Sequence, residues 1–421
     1  MPIEIDIAKH LQPIVIGGDI LAYSWVREMH RAFGITRTIV LATQDIKMLS
    51  SSKFTDYRLV DGLYEGDTAY EALEAVAAEE LARDPECKLI VLGCDDVHAR
   101  ILSRGKERLQ AAGITVPYID FDLLDEITQK RRFYELCEEL DMPFPKTWYF
   151  DCGNGPDELP VDEFDYPLIA KPSNSAKFQA ATIEAKRKIY EIESPEELQQ
   201  VWRTIRVSDY DAELVVQDFI PGDDNAIRTL TTFSDANGDV RVVSGGVVIL
   251  QDHDPTALGN PLAILGEKED VIVEGAKRFL KHIGYRGFAN FDIKFDERDG
   301  SFRFFEVNTR AGRNTYYMSL GGANFAELVV KEFILGEPIP YQEAYRPFLY
   351  CCVPEYVLKR SVTNIDRLAE ALATIEFTDE PYPLHYPADS ATHNFWALVM
   401  KMNQIRKFKK YYWDTGGKQL K

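Results

Sequence analysis

The chain has 421 residues, 45% of them hydrophobic, with 48 Lys and Arg against 68 Asp and Glu for a formal net charge of −20. This is enough for two or three domains with sizeable cores and excludes a disordered chain, while the acidic balance argues against nucleic acid as a partner, because phosphate binding needs a basic surface. No run of about 18 apolar residues is present, so no transmembrane segment is expected.

The start, MPIEIDIAKHLQPIVIGG, lacks the order of a signal peptide. The six cysteines (Cys87, Cys94, Cys137, Cys152, Cys351, Cys352) show no CxxC spacing, so reduced packing cysteines and a cytoplasmic location are expected. An apolar run at 13–17 ends in Gly17-Gly18-Asp19 and leads into a helical pattern at 20–33. Further apolar runs at 38–42 and 88–94, with helical patterns at 69–82 and 97–112, predict strands alternating with helices and hence a parallel sheet covered on both faces. The Gly-Gly turn fits a tight strand-to-helix connection that binds nothing; it also allows an anionic group to approach the helix N-terminus at Gly18. No GxGxxG supports a dinucleotide site.

A helix is predicted over 123–139, stopped by Met142-Pro143-Phe144-Pro145. It carries Lys130 beside Arg131 and Arg132, by itself a solvated cluster. A strand at 166–170 ends in Lys171, a lysine whose ammonium is costly to bury unless it meets an anion. Residues 173–177, Ser-Asn-Ser-Ala-Lys, form a small polar loop with backbone N–H groups suited to phosphate oxygens but no glycine. VVQDFIPGDD at 215–224 reads as a buried strand emerging into a Pro-Gly turn. Strands at 226–234 and 241–250 are joined by Asp235-Ala236-Asn237-Gly238, a hairpin signal. A loop is predicted over 253–266 and a helix over 268–282.

Residues 287–313, GFANFDIKFDERDGSFRFFEVNTRAGR, read as a hairpin: alternating segments at 287–296 and 301–310 around Glu297-Arg298-Asp299-Gly300. Period-2 alternation puts Asp292 on one face with Asn290 and Lys294, and Glu306 with Asn308 and Arg310. Asp292, Glu306 and Asn308 are the hard oxygen donors that Mg2+ prefers. The same alternation fits a half-buried hairpin with a solvated polar face. Beyond it come a helix at 324–335, a strand-like run at 347–353, a helix at 365–373 and a Pro/Tyr-rich stretch at 379–389. The tail NFWALVMKMNQIRKFKKYYWDTGGKQ holds Lys401, Arg406, Lys407, Lys409 and Lys410; it reads as a terminal helix docked on the acidic body, or as a basic amphipathic stretch touching an anionic membrane or a precursor diphosphate.

The segments from roughly Leu123 to Leu335 together resemble the ATP-grasp superfamily, and within it the D-aspartate ligase group of peptidoglycan amino-acid ligases. The resemblance implies an α/β and α+β chain: an N-terminal parallel-sheet domain (1–121), a small central lid (122–212), a C-terminal antiparallel-sheet subdomain with the metal hairpin (213–340) and an extension (341–421). It implies an ATP-dependent carboxylate–amine ligase using ATP and two Mg2+ ions, for which Mn2+ can substitute. Lys130 and Lys171 would contact phosphates, with Ser175 and Lys177 in a covering loop. Gln217 would face the adenine amino group, Asp218 would offer its carbonyl and Ile220 its amide, with Phe219 between them and Asp224 on the ribose. Asp292, Glu306 and Asn308 would hold the metal; Arg228 would stabilise an acyl phosphate, or else pair with Asp223 or Asp224. Arg310, Arg313 and Gly18 fall where the amino-acid substrate and phosphoryl group would sit, since a forked guanidinium suits a carboxylate. D-alanine–D-alanine ligases have an arginine where this chain has Asn290, and Pro-Gly where it has Arg310-Ala311-Gly312, which argues against D-alanine. The partners implied are an amino acid and a peptidoglycan precursor; a homo-oligomer is compatible with the sequence.

Overall fold

The computed structural model describes residues 6–173, 177–178, 181–184, 186–187 and 189–415. The chain forms two compact units. The first comprises Met1–Leu136, Asp223–Ile293 and Glu306–Lys421, the second Cys137–Gly222 and Lys294–Phe305.

The first unit opens with five strands, β1 (Leu11–Ile16), β2 (Thr38–Ala42), β3 (Thr55–Leu59), β4 (Lys88–Gly93) and β5 (Ile114–Thr115), in the order β3-β2-β1-β4-β5. All neighbours are parallel. Central strands β1 and β2 are buried along their whole length, as a sheet covered on both faces requires. The first long helix, Ile20–Phe33, has both ends written locally: Asp19 accepts from the amides of Leu21 and Ala22 (3.0 and 3.1 Å), and Gly34 closes it at φ 69°. The single helix expected over 97–112 is two, Asp96–Arg104 and Lys106–Ala111. They break at Gly105, where a Cβ would lie 2.2 Å from the Tyr70 ring. The helix expected over 123–139 likewise divides, into Phe121–Ile127 and Lys130–Glu139, with the Thr128 hydroxyl donating to the Leu124 carbonyl at the junction (2.8 Å). Lys130 therefore opens a helix rather than lying inside one.

The antiparallel sheet of the chain contains β10 (Ile227–Ser234), β11 (Val240–Gln251), β12 (Pro261–Gly266), β13 (Gly287–Asp296), β14 (Ser301–Asn308), β15 (Gln342–Glu343) and β16 (Leu349–Cys351). Its order is β14-β13-β10-β11-β12-β16, with β15 beside β11. The Asn-Gly turn closes β10 on β11, with Gly238 at φ 73° and its amide on the Asp235 carbonyl (3.0 Å). The loop expected over 253–266 is corrected in its second half: β12 pairs antiparallel with β11 and β16. Its core Leu-Ala-Ile-Leu is buried, a run too short for its period to separate strand from loop. Trp25 of the Ile20–Phe33 helix packs on Phe288 and Phe325 (centroids 6.1 and 4.5 Å), so the two sheets share one core.

The C-terminal extension is tied to the N-terminal sheet domain by a buried carboxylate. Asp389 accepts from the hydroxyls of Tyr23 and Ser52 (2.7 and 2.5 Å) and from the Lys53 amide (2.9 Å). Its last helix, Ala391–Phe408, buries His393, whose ring nitrogens lie 2.7 Å from the carbonyls of Met48 and Leu384.

In the second unit, β6 (Thr147–Asp151), β7 (Leu168–Pro172), β8 (Tyr190–Ile192) and β9 (Glu213–Asp218) form an antiparallel sheet in the order β6-β9-β7-β8. Helix Pro195–Arg206, capped by Ser194, lays Leu198, Trp202 and Ile205 against it. Gly155 lies under Trp202, and a Cβ there would be 2.2 Å from the Asp151 carbonyl. Gly155→Ala is accordingly expected to destabilise this unit by about 1–3 kcal/mol; urea unfolding followed by tryptophan fluorescence measures it, and a change below about 0.5 kcal/mol would show that the backbone yields freely.

Candidate active site

In the first unit, β13 and β14 present the acidic set. Asn308 donates from Nδ2 to the Asp292 carboxylate (3.1 Å), and Asn290 also faces that carboxylate (Nδ2 to Oδ1, 3.4 Å). Asn290 is itself buried and held by the Thr231 hydroxyl (2.8 Å). Gly312 makes room for it, since a Cβ there would lie 2.7 Å from the Asn290 carbonyl oxygen. The Glu306 carboxylate pairs with Lys130 Nζ at 2.8 Å. Burial, and after it the neighbouring charge of Glu306, push the Asp292 carboxyl up to about 7. Asp292 and Glu306 together fit a hard divalent cation, whose charge would favour the ionised Asp292 carboxylate, and the Asn308 amide, which here turns its Nδ2 to Asp292, would offer its oxygen on rotation.

Both arginines expected on the substrate side, Arg310 and Arg313, belong to this unit, in unlike surroundings. Arg310 forks onto Asp96 at the start of helix Asp96–Arg104 (Nε to Oδ1 2.8 Å, Nη2 to Oδ2 3.2 Å). Arg313 has no hydrogen bond or ion pair among the described residues. Its charge is the first to oppose the rise that burial imposes on the Asp19 carboxyl, ahead of the amides of Ala22 and Leu21 and of Arg310. The Gly-Gly turn is required sterically at its first position: Gly17 has φ 124°, and a Cβ would meet His98 at 2.9 Å. At Gly18 a Cβ would meet the tip of the Ile46 side chain (2.3 Å), which can turn away. Arg228 is buried and pairs with Glu267 and Glu269 (3.2 and 3.7 Å). Asp224 accepts from the Gln251 amide at 2.9 Å.

The second unit carries the expected adenine strand. Gln217, buried on β9, accepts from Lys171 Nζ at its amide oxygen (3.1 Å) and donates to the Thr147 hydroxyl (2.8 Å). The amide orientation is thus set by two neighbouring strands, β7 and β6. Asp218 donates its amide to the Lys146 carbonyl (2.9 Å), while its carboxylate is taken by Arg298 (2.8 Å). Phe219 lies under Lys294 Nζ (5.7 Å), and the Ile220 amide has no partner among the described residues. Lys177 pairs with Asp211 at 3.0 Å, and Ser175 lies outside the described residues. Thr147 and Asp96 were not singled out in the sequence; each acts through a partner far along the chain, Gln217 and Arg310, which no local pattern marks.

A parallel-sheet domain joined to an antiparallel sheet with an acidic hairpin, and a separate four-stranded unit with a lysine-oriented amide, define the ATP-grasp class of ATP-dependent ligases. No family model matches the chain. A D-aspartate ligase of Enterococcus faecium (strain Aus0004) is 31% identical to it over 414 residues, 95% of this chain and 96% of that one. A D-alanine–D-alanine ligase of Pseudomonas fluorescens (strain Pf0-1) is 24% identical over 239 residues, 54% of this chain and 67% of that one. The biotin carboxylase domain of Hydrogenobacter thermophilus 2-oxoglutarate carboxylase, solved with MgADP, ADP and bicarbonate, superposes with a TM-score of 0.56 at 16% identity, covering 80% of this chain and 74% of that one. The chain belongs to the D-aspartate ligase family and is an ATP-dependent ligase that forms a C–N bond between a carboxylate and an amine. Among the described residues no helix is long and apolar enough to cross a membrane.

Proposed function

We propose that the chain activates the β-carboxylate of D-aspartate as an acyl phosphate and joins it to the side-chain amine of a peptidoglycan precursor stem peptide. The observation that carries this reading is the near full-length relation to a D-aspartate ligase. It is supported by the pairing of Asp292 with Asn308 next to Glu306 on one hairpin. In this reading Asp292, Glu306 and Asn308 hold two Mg2+ ions, for which Mn2+ substitutes, and the metal supplies neutralisation of the β- and γ-phosphate charge. Lys171 and Lys130 take phosphate oxygens, Lys130 exchanging Glu306 for the nucleotide. Gln217 accepts from the adenine amino group, and the Ile220 amide donates to the ring. Requirement for ATP and a nucleotide-linked precursor supports action in the cytoplasm.

Of the two arginines, Arg313 is the better placed to take the α-carboxylate of the amino acid, because its guanidinium is not already forked onto an aspartate. Arg313→Lys is therefore expected to raise KM for the amino acid by about 10–100-fold, with kcat within a few fold, since a point charge replaces a bidentate fork. A change confined to kcat would instead assign Arg313 to the phosphoryl group.

The test is Mg2+-dependent ADP release by the purified protein with a panel of D- and L-amino acids, with and without a UDP-linked muramyl pentapeptide. Release that needs both D-aspartate and the pentapeptide is the expected result. Turnover with free amino acids alone would replace the precursor by a small amine acceptor, and ATP binding that no amino acid converts into turnover would overturn the substrate assignment.

A further inference from the structure

The terminal helix Ala391–Phe408 has two faces, and only one is accounted for by the fold. Inward it buries His393, Ala397 and Phe408, sets Lys401 over the Tyr382 ring (5.1 Å) and pairs Lys407 with Asp254 (3.2 Å) and Asp252 (3.5 Å). Outward, Phe395, Leu398, Val399 and Met402 follow one another at helical spacing with 58, 55, 38 and 49% of their surface in solvent. The same line continues through Arg406 to Lys409 and Lys410, all exposed. One exposed stripe is therefore apolar for its first turns and cationic for its last, on a chain whose net charge is −20.

We propose that this stripe docks on an anionic membrane surface, with Phe395, Leu398, Val399 and Met402 entering the acyl boundary and Arg406, Lys409 and Lys410 meeting lipid phosphates. Charge decides the occupant: three cations on one line are complementary to an anionic surface, whereas the acidic body beside them is repelled by it, which holds the protein by this helix alone. A second copy fits less well. Four part-exposed side chains offer far less than the roughly 800 Å² per partner of a stable interface, and two strongly acidic bodies repel each other. Entry into a bilayer needs no shape complement, and a row of large apolar side chains is what it takes. None of these residues belongs to the acidic hairpin or the nucleotide strand, so the inference stands or falls apart from the substrate reading.

The experiment is co-sedimentation of the full-length protein with vesicles of phosphatidylcholine, with or without about 30 mol% phosphatidylglycerol, at about 0.1 M salt where a surface potential still reaches the protein. Binding to the anionic vesicles only, reduced in high salt, is expected. Arg406→Glu with Lys409→Glu and Lys410→Glu is expected to lower the partition coefficient by roughly 100-fold, at about fivefold per cation, and Leu398→Asp with Met402→Asp to abolish binding, with circular dichroism and ATP-dependent turnover in solution unchanged in both. Equal binding to neutral vesicles, no binding to either, or undiminished binding by the variants would overturn the proposal. So would a dimer in light scattering that Leu398→Asp dissociates, which would give the stripe to a second copy, or retention on an acidic protein partner without vesicle binding.

Discussion

Glu306→Ala is expected to reduce amino-acid-dependent ADP formation by at least about 10³-fold, which corresponds to roughly 4 kcal/mol of lost transition-state stabilisation. The size of the effect follows from where the charge sits. Asp292 is half-buried on the neighbouring strand, and its carboxyl is pushed up first by desolvation and then by Glu306, so a divalent ion between the two would relieve their repulsion. Removing Glu306 takes away that repulsion and with it half of the charge that attracts the ion. The side chain is 45% exposed and pairs with Lys130, so its loss leaves the core intact. Glu306→Gln keeps the shape and removes the charge; it is expected to fall nearly as far as the alanine variant, which separates charge from packing. Mg2+ titration by calorimetry, alongside ADP release, reads both. Turnover of Glu306→Ala within about tenfold of the parent would remove the hairpin from the chemistry.

The second large effect is on stability. Trp202→Ala is expected to destabilise the second unit by about 3–5 kcal/mol. Trp202 is fully buried between the sheet and its own helix, meets Phe150 edge-on at 6.1 Å and donates its indole N–H to the Pro156 carbonyl at 3.1 Å. Truncation therefore leaves a large cavity and an unpaired carbonyl in the smaller of the two cores. Urea unfolding by circular dichroism should show an earlier transition in the variant, and the nucleotide binding proposed for Lys171 and Gln217 should be lost in it while the Trp25 core is still folded. A loss under about 1 kcal/mol would mean that the site repacks.

Much of this architecture was legible locally. The hairpin at 287–310 could be read because period-2 alternation and an Asp-Gly turn are properties of adjacent residues, and β13 spans Gly287–Asp296 as expected. The helix Ile20–Phe33 carries its own Asp19 cap and Gly34 stop. Where local signals were weak, boundaries moved: Gly105 split a helix because of the Tyr70 ring across from it, and β12 was missed because its apolar core of four residues has no period. Alternation put Asp292 on one face of the hairpin and Glu306 with Asn308 on another strand's face, and β13 and β14 carry them at those positions.

Partners were not legible, and they separate residues that look alike in the sequence. Arg310 and Arg313 are three positions apart in one loop, yet one is forked onto Asp96, 214 positions earlier, and the other has no ion-pair partner among the described residues. Arg228, read in the sequence as a group for the acyl phosphate or a partner of Asp223 or Asp224, pairs with Glu267 and Glu269 in the connection after β12, which no local pattern marks. Gln217 acquires a fixed orientation only when Thr147 and Lys171 arrive on strands from either side. The sequence by itself determined the elements, their buried faces and the chemical types of the site, since these follow from periodicity and residue chemistry. Tertiary structure alone decided which charges neutralise one another, because ion pairs and amide orientations depend on distances of a few ångströms between residues that the chain keeps far apart.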